Sequence, residues 1–256
     1  MNRNSLIKRM VYLSYVSKEG HLGSSLSILD ILYVLYKNFI FNKEDKNECN
    51  RFILSKGHAS LALYTILNEF NFLSEDINNF CKFNSLLGGH PCDKLPFVEA
   101  STGSLGHGLP IAIGIALGYK ILNKNERVFV LIGDGEMNEG SIWESLLLAA
   151  HHNLNNLTCI MDYNHSGDRA LKLDNVCQKI SSFNWNCMEI NGHDHDIILN
   201  SLNHVDTHRP IFIIANTIKG KGISFMENNP EWHHKAPDLD QIQAIHRELD
   251  ATASGL

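Results

Sequence analysis

The sequence predicts an α/β protein: a doubly wound, mostly parallel sheet flanked by helices. Two observations carry that expectation. Short apolar runs rich in β-branched residues, such as VFVLI from Val128 and IFIIA from Ile211, read as buried strands. Between them, apolar residues recur at three- and four-residue spacing, the period of helices packed on such a sheet. The alternation runs throughout, and no linker or internal repeat interrupts it. Residues 1–256 therefore read as a single domain.

The first helical pattern extends from Ser5 to Ser17 through Leu6, Met10, Leu13 and Val16, and Gly20-His21-Leu22-Gly23 breaks it. Ser24 or Ser25 is then placed to cap a second helix carrying Ile28, Leu29, Leu32 and Leu35. A short strand at Arg51 to Ser55 leads through Lys56-Gly57-His58-Ala59 into a helix with Leu61, Leu63, Leu67 and Phe70. Residues 72–97 show no period and centre on Gly88-Gly89-His90-Pro91. A glycine-rich turn from Ala100 to Gly108 precedes a helix from Leu109 to Leu122, with Pro110 in its first turn. Its small residues, Ala112, Gly114, Ala116 and Gly118, permit close backbone packing.

The stretch from Val128 to Asn164 is the most informative. VFVLI runs into Gly133-Asp134-Gly135, a helical segment follows from about Ile142 to Ala150, and LTCIM ends on Asp162-Tyr163-Asn164. In a parallel sheet the carboxyl ends of neighbouring strands share one edge, where ligands bind. Asp134 and Asn164 would face one another there. Both offer hard oxygens, which together with phosphate oxygens suit magnesium. Gly133 and Gly135 allow the backbone to approach a diphosphate. A surface turn with a solvated aspartate is the plain alternative. Further strands are expected at 187–190 and 210–215, then a helix from Pro237 to Leu249 and a disordered small-residue end after about residue 250.

Composition narrows the function. The chain has 22 Lys plus Arg against 28 Asp plus Glu, a net charge of −6, and no long basic run, so nucleic acid is a poor partner. Phosphate binding is expected to use backbone, histidine and metal rather than a cationic patch. No apolar stretch is long enough to span a bilayer, and no signal sequence is apparent. The six cysteines are scattered without a CxxC pair, which fits reduced thiols in a cytoplasmic enzyme. The 14 histidines are unusual, and several follow glycine, as loop residues at element ends do.

Several of these motifs resemble one family. GDG followed by Asn164, with EGSIWESL and NL between, is similar to the thiamine-diphosphate signature in its transketolase form. GHLGSS around His21, SKGHAS around His58, GGHP around His90, TGSLGHG from Thr102 and KGKGISFMENNPEWHHK around His233 resemble the family's other active-site segments. Leu22 and Ser104 stand where the family usually has proline, His107 where it has glutamine, and the segment after Asn164 departs from the usual pattern.

The resemblance implies thiamine diphosphate as cofactor, with Mg2+ or another divalent ion such as Ca2+ or Mn2+. It implies Asp134, Asn164 and the Ser166 carbonyl as metal ligands. Gly103, Ser104 and Leu105 would contact the aminopyrimidine side, and His58, Asp134, Gly135, Glu139, Asn164 and His233 the rest of the cofactor. His21, His58, His90 and His233 would handle protons on sugar hydroxyls, with His234 a solvent-facing neighbour. Glu139 and Glu144 would lie at a contact between subunits. Because only the N-terminal part of a full transketolase is matched, the implied protein is the N-terminal, or A, subunit of a split enzyme. It would move a two-carbon ketol unit between sugars or sugar phosphates. It would work only with a separate chain carrying the pyrimidine and C-terminal domains, two copies of each. The rival readings are an α-subunit of a 2-oxo acid dehydrogenase and a non-catalytic scaffold.

Overall fold

The computed structural model describes residues 2–40 and 49–253. Five strands form one sheet: β1 (Arg51–Leu54), β2 (Val128–Gly133), β3 (Leu157–Tyr163), β4 (Asn186–Asn191) and β5 (Ile211–Asn216). Their order is β1-β2-β3-β5-β4 and every pairing is parallel. Eight α-helices among the described residues cover it: α1 (Arg3–Ser17), α2 (Leu22–Leu35), α3 (Ser60–Glu69), α4 (Gly108–Ile121), α5 (Gly140–His151), α6 (Val176–Ser182), α7 (His195–Asn203) and α8 (Leu239–Ala253).

The two-residue period of the strands divides the core into two layers. Phe129 and Leu131 of β2, with Ile211 and Ile213 of β5, pack against α1, α2, α3, α7 and α8. Val128, Val130 and Ile132, with Phe212 and Ile214, turn the other way onto α4, α5 and α6. Both faces are covered, which is why these strands read as unbroken apolar runs. Connection direction explains which helix lies where. From β1 to β4 the chain advances across the sheet, with α4, α5 and α6 each leading into the next strand on one face. It then steps back from β4 to β5 through α7 on the other face, as right-handed crossovers require when direction reverses.

Several expectations change. Helix α2 begins at Leu22, and Ser24 and Ser25 are buried inside it rather than capping it. Its entry is made by His21, which adopts the left-handed conformation (φ 61°) and whose carbonyl accepts the Ser25 N–H at 3.0 Å. A Cβ at Gly114 or Gly118 would meet no atom within 4 Å, so these glycines mediate no close packing within the chain. Helix α8 reaches Ala253 and so includes residues expected to be disordered, while 254–256 lie outside the described residues. Helices α6 and α7 had no counterpart among the sequence-based expectations. None of the six cysteines is in a disulfide. Among the described residues, no helix is long and apolar enough to cross a membrane.

Candidate functional site

The carboxyl ends of β1, β2, β3 and β5 meet the start of α2 around a cleft of about 410 Å³. Its floor is set by register. Gly133 pairs with Asp162, so Asp134 and Asn164 leave adjacent strand tips just beyond. Asp162 is fully buried and ion-paired to Lys56, which is itself 2% exposed. It also accepts from Thr217 Oγ1, from Ser27 Oγ at 2.8 Å and from Asn164 Nδ2 at 2.7 Å. Burial opposes its charge, but the Lys56 ammonium prevails and holds the carboxyl below its ordinary range. The Asn164 amide is thereby oriented, and its Oδ1 accepts the Ser166 N–H at 3.1 Å.

Asp134 is buried and accepts two backbone N–H groups, Gly135 at 2.8 Å and Gly167 at 3.1 Å. Burial pushes its pKa up, the Gly167 bond pulls it back, and the charge of Asp162 pushes it up again. A carboxylate in that state gains from an added cation, and each of its oxygens retains a lone pair. The departing segment after Asn164 closes onto this turn. A Cβ at Gly167 would sit 2.9 Å from the Gly135 nitrogen, so the two backbones touch. His165 takes the left-handed conformation (φ 63°), lies 4.3 Å from the Tyr163 ring and bonds Asp168 at 2.9 Å. Asp134, Asn164 and Ser166 thus share one end of the cleft, where oxygen donors suit a hard divalent ion.

The four predicted histidines converge on the same cleft. The His21 ring lies 5.2 Å from His58 and 5.8 Å from His233. Gly103 (φ +145°) lets His90 come close, since a Cβ there would meet the His90 ring at 2.6 Å. Burial lowers the His58 pKa to about 2 and the His21 pKa to about 4, so both are neutral near pH 7. His233 is lowered too, by burial and by Lys219, whose Nζ donates to its Nδ1 at 2.6 Å. That bond makes Nδ1 the acceptor and leaves Nε2 with the proton.

Lys219 was missed by sequence reasoning. Its Nζ also bonds Ser166 Oγ at 3.2 Å, and burial brings its pKa down to about 8. With Lys56 below and Arg169 lining an adjoining cleft of about 290 Å³, the site has cations of its own. The expectation that phosphate binding uses backbone, histidine and metal did not include these side chains. Glu136 was missed as well. Its buried carboxylate accepts from Ser55 Oγ at 2.6 Å, the Gly133 N–H at 2.9 Å and the Gly106 N–H at 3.0 Å, tying the glycine-rich turn to the end of β2.

Residues 6–253 match the family model described as the transketolase, thiamine diphosphate binding domain. The chain belongs to the transketolase family. It is 35% identical over 253 residues to the A-type subunit of apulose-4-phosphate transketolase from Phocaeicola vulgatus, covering 94% of this chain and 90% of that one. Against the equivalent protein of Actinobacillus succinogenes it is 38% identical over 242 residues, covering 90% and 87%. Human transketolase is 36% identical over 240 residues, but only 38% of its length is matched. Among solved structures, transketolase from Campylobacter jejuni superposes with a TM-score of 0.86 at 28% identity, covering 97% of this chain and 42% of that one.

Within this transketolase domain, the predicted residues Gly103, Leu105 and Gly135 line the cleft with the histidines and the acid-amide pair. Ser104 and Glu139 do not. Ser104 is exposed, and Glu139 precedes α5 beside Gly106, where a Cβ would lie 2.7 Å from the Glu139 Cβ. Glu144 is exposed on α5. The Lys219 signal was present in KGKG directly after a strand, but nothing in the sequence says that its ammonium turns inward.

Proposed function

We propose that this chain is the N-terminal, or A, subunit of a split transketolase. It binds thiamine diphosphate with a divalent ion and, with a separate partner chain, transfers a two-carbon ketol unit between sugars or sugar phosphates. One observation carries the reading. Asp134, Asn164, Lys219 and four histidines line a single cleft at the carboxyl edge of the sheet. The two apulose-4-phosphate transketolase relatives support it, because they are themselves subunits and are matched over nearly their whole length.

The donor set fits the cofactor's anionic end. Asp134, Asn164 and the Ser166 carbonyl would hold Mg2+, and Lys219 would face the diphosphate, with Gly135 lining the same cleft. Gly103 and Leu105 would flank the ring. The bound cofactor supplies the nucleophilic carbon that makes and breaks the carbon–carbon bond beside a carbonyl. The protein's part is to position substrate and move protons. His21 and His58, neutral near pH 7, can accept hydrogen bonds from sugar hydroxyls and so position them. His233, with its proton on Nε2, can donate a hydrogen bond to a carbonyl or alkoxide oxygen. His90 lines the same cleft beside Gly103.

The test is reconstitution. Ketol transfer from a ketose phosphate to an aldose should be absent with either chain alone. It should appear when this chain is mixed with one carrying the pyrimidine and C-terminal domains, and should require thiamine diphosphate and a divalent ion. Full turnover by this chain alone, or decarboxylation of a 2-oxo acid in place of ketol transfer, would reject the reading.

A further inference from the structure

His234 has no part in that scheme, yet it is not isolated. The turn before α2 meets the segment after β5 at the mouth of the cleft, and three ligand-bearing side chains come together there. Glu19 Oε1 lies 3.6 Å from His21 Nδ1 and 3.6 Å from His234 Nε2. All three ligand atoms fall within 4.8 Å of one another. These separations are too long for good hydrogen bonds. They are close to the spacing of ligands around a metal, since donors at 2.0–2.2 Å from a tetrahedral centre stand roughly 3.3–3.6 Å apart.

The backbone fixes the arrangement. Gly20 packs so tightly on His234 that a Cβ would lie 2.9 Å from its carbonyl carbon. His21 is held by the left-handed turn that opens α2. The two imidazole rings meet edge to face, 4.6 Å apart. Only small rotations of three side chains separate this geometry from a closed site.

We propose that Glu19, His21 and His234 bind a divalent transition-metal ion of the zinc class, separate from the hard-ion position at Asp134 and Asn164. Two imidazoles and a carboxylate suit zinc, cobalt or copper and suit magnesium poorly. Of the three, His21 also lines the cleft. A metal there occupies the His21 nitrogen and narrows the mouth, so the site is inhibitory. That consequence rests on the transketolase reading. Metal binding itself does not.

The test uses Co2+ as a spectroscopic probe, titrated into the full, tag-free chain in excess Mg2+. Wild type should develop the visible absorption of a tetrahedral nitrogen–oxygen site with one equivalent bound. Glu19→Gln and His234→Ala should each weaken binding by at least the roughly ten-fold that loss of an outer-shell partner already costs. Asp134→Asn should leave the titration unchanged. With the reconstituted enzyme, zinc should inhibit wild type, and His234→Ala should resist it while keeping its activity without zinc. Absence of a saturable band in wild type, equal curves for wild type and both mouth variants, or loss of the band in Asp134→Asn would overturn the proposal.

Discussion

His193 donates its Nδ1 proton to Asp30 at 2.9 Å, and its other ring nitrogen accepts the Ile218 N–H at 2.9 Å. One imidazole therefore fastens helix α2 to the segment that carries Lys219. Burial works against the Asp30 charge, but the His193 bond and the Arg3 guanidinium outweigh it and bring its pKa down to about 2. Replacing His193 with Ala should cost about 1–3 kcal/mol, the range for a buried polar group losing its partner. It should also raise the thiamine diphosphate concentration needed for half-saturation. His193→Asn, which can keep the Asp30 bond, should recover part of the stability and less of the cofactor affinity. Urea denaturation and cofactor titration read the two effects separately.

Lys56→Met should be more damaging. It leaves the fully buried Asp162 without its cation, although Ser27, Thr217 and Asn164 still bond it. Removing one partner of a buried pair typically costs about 3–5 kcal/mol. A change in unfolding free energy near zero would show that the pair does not hold the strand ends.

Asp134→Asn should separate binding from stability. Burial already disfavours the Asp134 charge, but the amide has one accepting oxygen where the carboxylate uses two, so either Gly135 or Gly167 loses its acceptor and stability should fall by no more than about 1–3 kcal/mol. The ion-dependent affinity for thiamine diphosphate should fall by at least about ten-fold, since a carboxylate ligand is lost. Fluorescence titration with and without Mg2+ checks both parts.

Stability without cofactor should fall with acid from near pH 6.5 downward. His21 and His58 have folded pKa values of about 4 and about 2, below the unfolded value of 6.5. The unfolded chain thus binds more protons across that window, and stability is lost as pH drops. Asp30 contributes in the same direction only below its unfolded value of 3.8. Between pH 7.5 and 4.5 the histidines remove stability as acid is added while Asp134 and Glu136, raised by burial, work in the opposite direction, and His58→Gln should flatten the histidine part of the slope. Lys219, lowered from 10.5 to about 8, works at the other end: stability gains as pH rises through that interval.

Gly103→Ala tests the wall of the cleft. The added methyl would meet the His90 ring at 2.6 Å, on a backbone at φ +145° that side chains rarely adopt. A cost of about 1–3 kcal/mol is expected for such strain. Reconstituted activity should fall further than stability alone explains, because His90 must move.

What could be read from the sequence was whatever local pattern determines. The strands announced themselves through unbroken apolar runs, because both faces are covered. Asp134 and Asn164 stood directly after two of them, so parallel pairing was enough to bring them together. The histidines lay in recognisable segments. Lys219, Glu136 and Asp162 were different. Their roles arise from partners far along the chain, such as Ser166 for Lys219 and Ser55 for Glu136, and no local period encodes such contacts. Ser24 and Ser25 misled because a helix can also begin from a left-handed residue, here His21. The glycines of α4 permit close packing, but no part of the described chain uses it. Helices α6 and α7 are short, with few buried positions, and gave a weak pattern.

The anchoring of Asp162 has a wider consequence. Its bonds to Lys56, Ser27 and Thr217 come from three other elements, and none involves the segment 165–175. Changes in the outer part of that segment, beyond Gly167, can therefore leave the buried anchor in place, whereas Ser166 and Gly167, which bond Lys219 and Asp134, are part of the seat itself.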